Sequence, residues 1–108
     1  MSETLARVRA LAARGDVRPS LHAYRELAAD GILFEDIVAG LGAAVAIEDY
    51  PDYFKGPSVL ALHKDVDGRP VHALWGFPKD QESPAVLVTV YRPNPSLWSA
   101  NFTIRRRP

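Results

Sequence analysis

Apolar residues recur with helical spacing along the N-terminal part of the chain and with extended spacing after Ala43, so the period itself divides the sequence into two kinds of structure. Leu5, Val8, Leu11 and Ala12 predict a helix over 2–14, capped by Ser2 and closed by Gly15 and Asp16, with Arg7, Arg9 and Arg14 off the apolar stripe. Ser20, after Pro19, predicts the cap of a second helix running to Ala29. Its expected inward residues are Leu21, Tyr24, Leu27 and Ala28, while His22, Arg25 and Glu26 share another stripe. Phe34, Ile37, Val38 and Leu41 fall at i, i+3, i+4 and i+7 and predict a short third helix, with Glu35 and Asp36 in its first turn and Gly42 at its end.

The extended part predicts four strands, over 45–49, 58–64, 70–77 and 85–91, the last being the most β-branched stretch. Pro51 and the Gly56-Pro57 pair punctuate the first connection, and Asp67-Gly68 reads as a two-residue hairpin turn. That turn sets Val66 against Arg69 and His63 against His72. Val59, Ala61, His63, His72, Leu74 and Gly76 then share one face, and the bulkier face with Leu60, Leu62, Ala73 and Trp75 becomes the expected core. Leu87, Thr89 and Tyr91 are expected on the His72 side. Helices first and strands afterwards imply an α+β fold with an antiparallel meander covered by helices on one face.

At 108 residues, 47% hydrophobic and 24% charged, the chain has the composition of one globular domain, taken as 1–108. The absence of cysteine excludes disulfides, thiolate metal sites and a thiol nucleophile. No apolar run is long enough for a membrane span, and the N-terminal residues carry Glu3, Arg7 and Arg9 in place of a leader's apolar stretch, so the expected setting is cytoplasmic, without a membrane partner. Thirteen basic and thirteen acidic residues cancel, which supplies no general attraction to nucleic acid. Arg105, Arg106 and Arg107 are expected to be a solvated, frayed basic tail within 99–108.

Four ordered segments together carry a family resemblance. They are Glu48-Asp49-Tyr50-Pro51-Asp52, Gly56-Pro57, Asp67-Gly68-Arg69-Pro70-Val71-His72, and the run from Val88-Thr89-Val90-Tyr91-Arg92 to Trp98. With Ser20-Leu21-His22-Ala23-Tyr24-Arg25-Glu26-Leu27 ahead of them, the chain over about 20–98 resembles the bacterial DUF4258 family. The resemblance implies two or three N-terminal helices packed on a curved four-stranded antiparallel sheet, related to the barnase, colicin E5 and RelE-like ribonucleases. It implies metal-independent cleavage of RNA by its own 2′-hydroxyl, using His-based acid–base chemistry, and a toxin-type protein restrained by a cognate antitoxin. Carried onto matching positions, it gives His72, His22 and Tyr91 as catalytic candidates and Arg25, Thr89 and Arg92 as substrate-binding candidates, with no cofactor or metal. The chain departs from the family where a basic residue commonly precedes a Gly-Ile pair, because Asp30 precedes Gly31-Ile32.

Each candidate also has a plain structural role. His72 lies in an apolar strand, where a near-neutral imidazole suits proton transfer and equally a hydrogen-bonded structural position. His22 and Arg25 can clamp a phosphate or simply face water. Thr89 and Tyr91 are ordinary strand residues as well as hydroxyl donors. Glu48, Asp49 and Asp52 are the carboxylates available to orient a histidine, although a strand end and turn account for them. Trp75, Phe77 and Trp98 read as core and edge cover. The nuclease reading requires His72 to reach solvent in a cleft with basic or hydroxyl partners. Two alternatives remain: an interaction module using a strand edge or the Trp98 region, with scattered histidines and no cleft, and a metal site built on a cross-strand His63/His72 pair.

Overall fold

A computed structural model describes residues 2–106. Helix α1, Glu3–Ala13, begins where the Ser2 side chain accepts the Leu5 amide, and it buries Thr4, Leu5, Val8 and Leu11 as its spacing requires. Strand β1 is Val17–Pro19, and helix α2, Leu21–Asp30, starts at the Ser20 cap and ends on left-handed Gly31. Helix α3 covers Phe34–Ala39 and tightens into a 3-10 turn over Gly40–Ala43, so it closes earlier than Gly42. Four longer strands follow: β2 Val45–Tyr50, β3 Ser58–Lys64, β4 Pro70–Gly76 and β5 Ala85–Tyr91.

The fold is α+β, but the sheet has five strands in the order β1-β5-β4-β3-β2 and is mixed. The expected antiparallel meander is its β2 to β5 portion. The addition is β1, which runs parallel to β5 at the edge. Three residues ending in proline are too short to show a strand period. Their pairing comes from the Ala85 amide donating to the Asp16 carbonyl and the Ser20 amide to the Leu87 carbonyl.

The β3–β4 register corrects the expected one by a single residue. The loop contains three residues, Val66 to Gly68, because the Asp65 amide pairs with the Arg69 carbonyl at 2.9 Å and the Gly68 amide returns to the Asp65 carbonyl. Gly68, at φ +80°, takes the left-handed position of a type I turn plus bulge. Asp65 Oδ1 fixes this loop by accepting the Asp67 and Arg69 amides, both at 2.9 Å. Leu62 therefore opposes His72, and His63 opposes Val71. Val59, Ala61 and His63 join Val71, Ala73 and Trp75 on the helix-covered face, while Leu60 and Leu62 turn to the other, reversing the expected sides of β3. A bulge at Val88 likewise splits β5: Leu87 pairs with Trp75 on the core side, whereas Thr89 and Tyr91 pair with Leu74 and His72 on the outer face.

The helices lie on one side of this sheet and form a single core with it. Helix α2 contributes only Ala23 and Leu27, and the expected inward residues Leu21, Tyr24 and Ala28 are exposed. The helix lies along the β1–β5 edge, so its i, i+4 pair packs inward and Glu26 turns toward β5. Gly56 is required where it stands: at φ +122°, a Cβ would lie 2.0 Å from the Phe77 carbonyl oxygen.

His63 is sealed in the core. Its Nε2 accepts the Trp75 indole N–H at 3.3 Å, which leaves the proton of the neutral ring on Nδ1, an atom without a hydrogen-bond partner. Burial, aided by the Arg9 charge, holds this imidazole down to about 4. The neutral ring is thus the form the fold accepts. Its contribution to stability is present above about pH 6.5 and is lost as pH falls toward 4, a total of about 3 kcal/mol. Chemical denaturation across that window checks it: His63→Gln, which keeps an acceptor for Trp75 and cannot titrate, flattens the loss of stability, and an unchanged slope assigns the acid sensitivity elsewhere. Gly56→Ala lowers the unfolding free energy by about 3 kcal/mol or more in the same measurement, through clash and backbone strain.

Candidate functional site

The second face of the sheet carries Glu48 and Tyr50 of β2, Leu60 and Leu62 of β3, His72 and Leu74 of β4, and Thr89 and Tyr91 of β5. No helix covers it. The segment over 93–106 crosses one end, and Trp98, only 3% exposed, packs edge-on to His72 with ring centroids 4.4 Å apart. This is the edge cover expected of Trp98. Phe102 adopts φ +62°, unusual for a bulky residue, and its carbonyl accepts from His72 Nε2 at 2.8 Å.

His72 therefore does not reach solvent, which corrects the expectation on which the nuclease reading rested. Its exposure is 0%. Both ring nitrogens are occupied: a carbonyl can only accept, so Nε2 carries the proton, and Nδ1 receives the Tyr91 hydroxyl at 3.1 Å. Burial pushes the imidazole below its ordinary range, against the Phe102 carbonyl, which raises it. Burial also raises the Tyr91 phenol. Tyr91 does lie on the His72 side as expected, and the two form a neutral hydrogen-bonded pair whose imidazole is closed to solvent.

A carboxylate–guanidinium pair holds the cover at its other end. Arg105 Nε and NH2 meet Glu48 Oε2 and Oε1 at 2.7 and 3.0 Å, and the guanidinium lies 4.8 Å from the Trp98 ring centroid. The Arg105 hydrogen bonds hold the Glu48 carboxyl below its usual range, and the Tyr50 hydroxyl adds a further bond. Arg105 is consequently a docked residue and not part of a frayed tail, while Arg107 lies outside the described residues. The pairing spans 57 residues, a separation that no local pattern announces.

The remaining candidates fall into two other places. His22 is exposed on α2, and its Nε2 lies 3.3 Å from Glu26 Oε1. The same oxygen accepts the Thr89 hydroxyl at 2.6 Å and the Val90 amide at 3.0 Å, closing the β5 edge where β1 ends. Glu26 was seen in the sequence only as a member of a polar stripe, yet it is the residue that joins His22 to Thr89. Arg25 is exposed on the same helix. Arg92 is committed to Asp65 Oδ2 at 2.9 Å, and Asp65 is held below its ordinary range by the Arg69 amide first and Arg92 next among side chains.

His63 and His72 lie on opposite faces of the sheet, so the cross-strand metal pair does not form. Among the described residues, no three potential His, Asp or Glu ligands cluster around a common point. No helix there is long and apolar enough to cross a membrane. The end of the outer face left open by 93–106 is a groove of about 560 Å³, lined by Tyr50, Tyr53, Leu74, Gly76, Val86 and Val88 among others, with Lys55 its one charged lining residue.

Glu26 and His22 differ in what they hold, and stability measurements separate them. Glu26→Ala leaves the Val90 amide and Thr89 hydroxyl without their acceptor and lowers the unfolding free energy by about 1–3 kcal/mol. His22→Ala, at an exposed position, changes it by less than about 0.5 kcal/mol. Equal effects from the two substitutions contradict this division.

No curated protein and no solved structure matches the chain. The family model described as Domain of unknown function (DUF4258) matches residues 20–92, from the α2 cap to the Arg92 that follows β5, and excludes α1 and the cover over His72. With well over half its length matched, the chain belongs to the DUF4258 family.

Proposed function

We propose that this domain is a non-enzymatic interaction module whose partner, a protein presenting an apolar or aromatic segment, seats on the open half of the outer sheet face. The carrying observation is the division of that face into a covered end and an apolar groove, with no histidine among the groove's lining residues. The three histidines occupy separate environments: His22 on the helix surface, His63 in the core, His72 beneath the cover. Exposed Tyr53 and Phe54, with ring centroids 4.9 Å apart, extend the apolar surface at the groove's margin. The antitoxin implied by the family resemblance is a partner of this class.

A second reading, acid–base cleavage of RNA, draws support from one specific arrangement and moves from His72 to His22. With Nε2 directed at Glu26, the opposite ring nitrogen of this exposed histidine has no partner among the described residues, and Arg25 lies on the same helix as a phosphate contact.

The two readings separate in one set of experiments. Purified wild type, His22→Ala and His72→Ala are incubated with RNA in chelator, and a photoreactive residue is placed at Val88 in the groove or at Arg25 on α2 in living cells. The interaction reading expects no cleavage above buffer from any of the three proteins, and a discrete protein adduct from position 88 that position 25 does not give. Chelator-resistant cleavage lost in His22→Ala but retained in His72→Ala would replace it with the second reading; identical adducts from both positions also overturn it.

A further inference from the structure

We infer that the segment over 93–106 is a displaceable cover, latched through Glu48–Arg105 and His72–Phe102, which conceals the His72 imidazole and can open while the sheet beneath stays intact. The inference concerns other residues than the apolar groove, and it stands or falls independently of the partner proposed for that groove.

Its first support is how the segment is attached. Among the described residues, its backbone–backbone hydrogen bonds run within itself: Leu97 to Asn94, Phe102 to Ser99, Ser99 to Ile104 and Arg106 to Leu97. The single bridge pairs Trp98 with Arg105, also inside the segment. It extends no strand of the sheet. Beyond Arg92, its polar ties to the body are the bidentate Arg105–Glu48 pair and the His72 N–H on the Phe102 carbonyl, with Trp98 filling the space over the imidazole. A cover held by side chains can leave without breaking a ladder.

Three further observations agree. The Arg105 side chain is 61% exposed, so water can compete for the pair that fastens the far end. Phe102 holds its carbonyl toward His72 from a left-handed backbone conformation that costs a non-glycine residue free energy, and release of the latch relieves it. The family match also stops at Arg92, immediately before the cover begins. Opening would bring His72 to solvent beside Tyr91 and Glu48, which are already partly exposed. An imidazole, a phenol and a carboxylate form a polar surface whose imidazole the closed form withholds.

The test reads exposure at His72 directly. Diethyl pyrocarbonate modification is followed by peptide mass spectrometry, with exposed His22 as internal reference, alongside amide exchange in the full chain. Arg105→Ala and Glu48→Gln raise the His72 modification rate about twofold to fivefold, in keeping with an exposed ion pair. Exchange at Phe102 and Ile104 rises with it, and β4 amides from Val71 to Trp75 keep wild-type protection. The exchanged pair Glu48→Arg with Arg105→Glu brings both readouts back toward wild type. An unchanged His72 rate in both single variants overturns the inference, and so does a rise matched by faster β4 exchange, which means that the sheet itself opens.

Discussion

The carboxylate of Asp65 sets the geometry on which the two interior histidines depend. By accepting two amides within the β3–β4 loop, it stabilises a three-residue turn and fixes the strand register one residue away from the two-residue alternative. Because side chains alternate, that single step decides which face each residue of β3 occupies. It sends His63 inward against Trp75, where desolvation keeps the ring neutral, and it sets Leu62 beside His72 on the outer face. The same carboxylate binds Arg92 at the end of β5, tying the hairpin to the strand after which the cover begins. One loop thereby governs both the core's acid sensitivity and the surface on which the C-terminal segment docks.

Elements with a long, regular apolar period were legible from the sequence. The α1 stripe, the Ser2 and Ser20 caps, the four longer strands and Trp75 as core all follow from spacing and local hydrogen-bond chemistry. Sequence pattern and fold part where one residue changes parity. Asp67-Gly68 fits two hairpin loops, and the side chain that selects between them, Asp65, acts from just outside the dipeptide. The Val88 bulge moved Leu87 to the core by the same arithmetic. Strand β1 had no period to display, since pairing with distant β5 makes it a strand.

Candidate residues were legible as chemistry and not as a constellation. His72 and Tyr91 do meet, but the groups that close them off, Trp98 and the Phe102 carbonyl, come from a turn whose approach depends on Arg105 finding Glu48 across the fold. Residue type gives no sign of that approach. Thr89 was selected for its hydroxyl, and its actual task is shared with the Val90 amide: both donate to Glu26 at an edge that β1 is too short to cover. Glu26 thus protects an unpaired strand edge while aligning His22, and structural and chemical roles coincide in one carboxylate.

The outer face is where these constraints combine. A five-stranded sheet with helices on one side has a second face to protect, and the described residues cover one end of it. The covered end is polar underneath: the crossing segment supplies the Phe102 carbonyl to the neutral imidazole and Arg105 to Glu48, and the Tyr91 phenol donates to the imidazole itself. The open end is apolar and lined by Tyr50, Leu74, Val86 and Val88. Covering the polar end with a segment that makes specific hydrogen bonds avoids unpaired buried groups, whereas the apolar end gains most from a surface supplied by another molecule. The two ends of one face therefore make different demands: hydrogen-bond partners at the polar end, which the cover supplies, and apolar contact at the other, which is the surface that the proposed interaction uses.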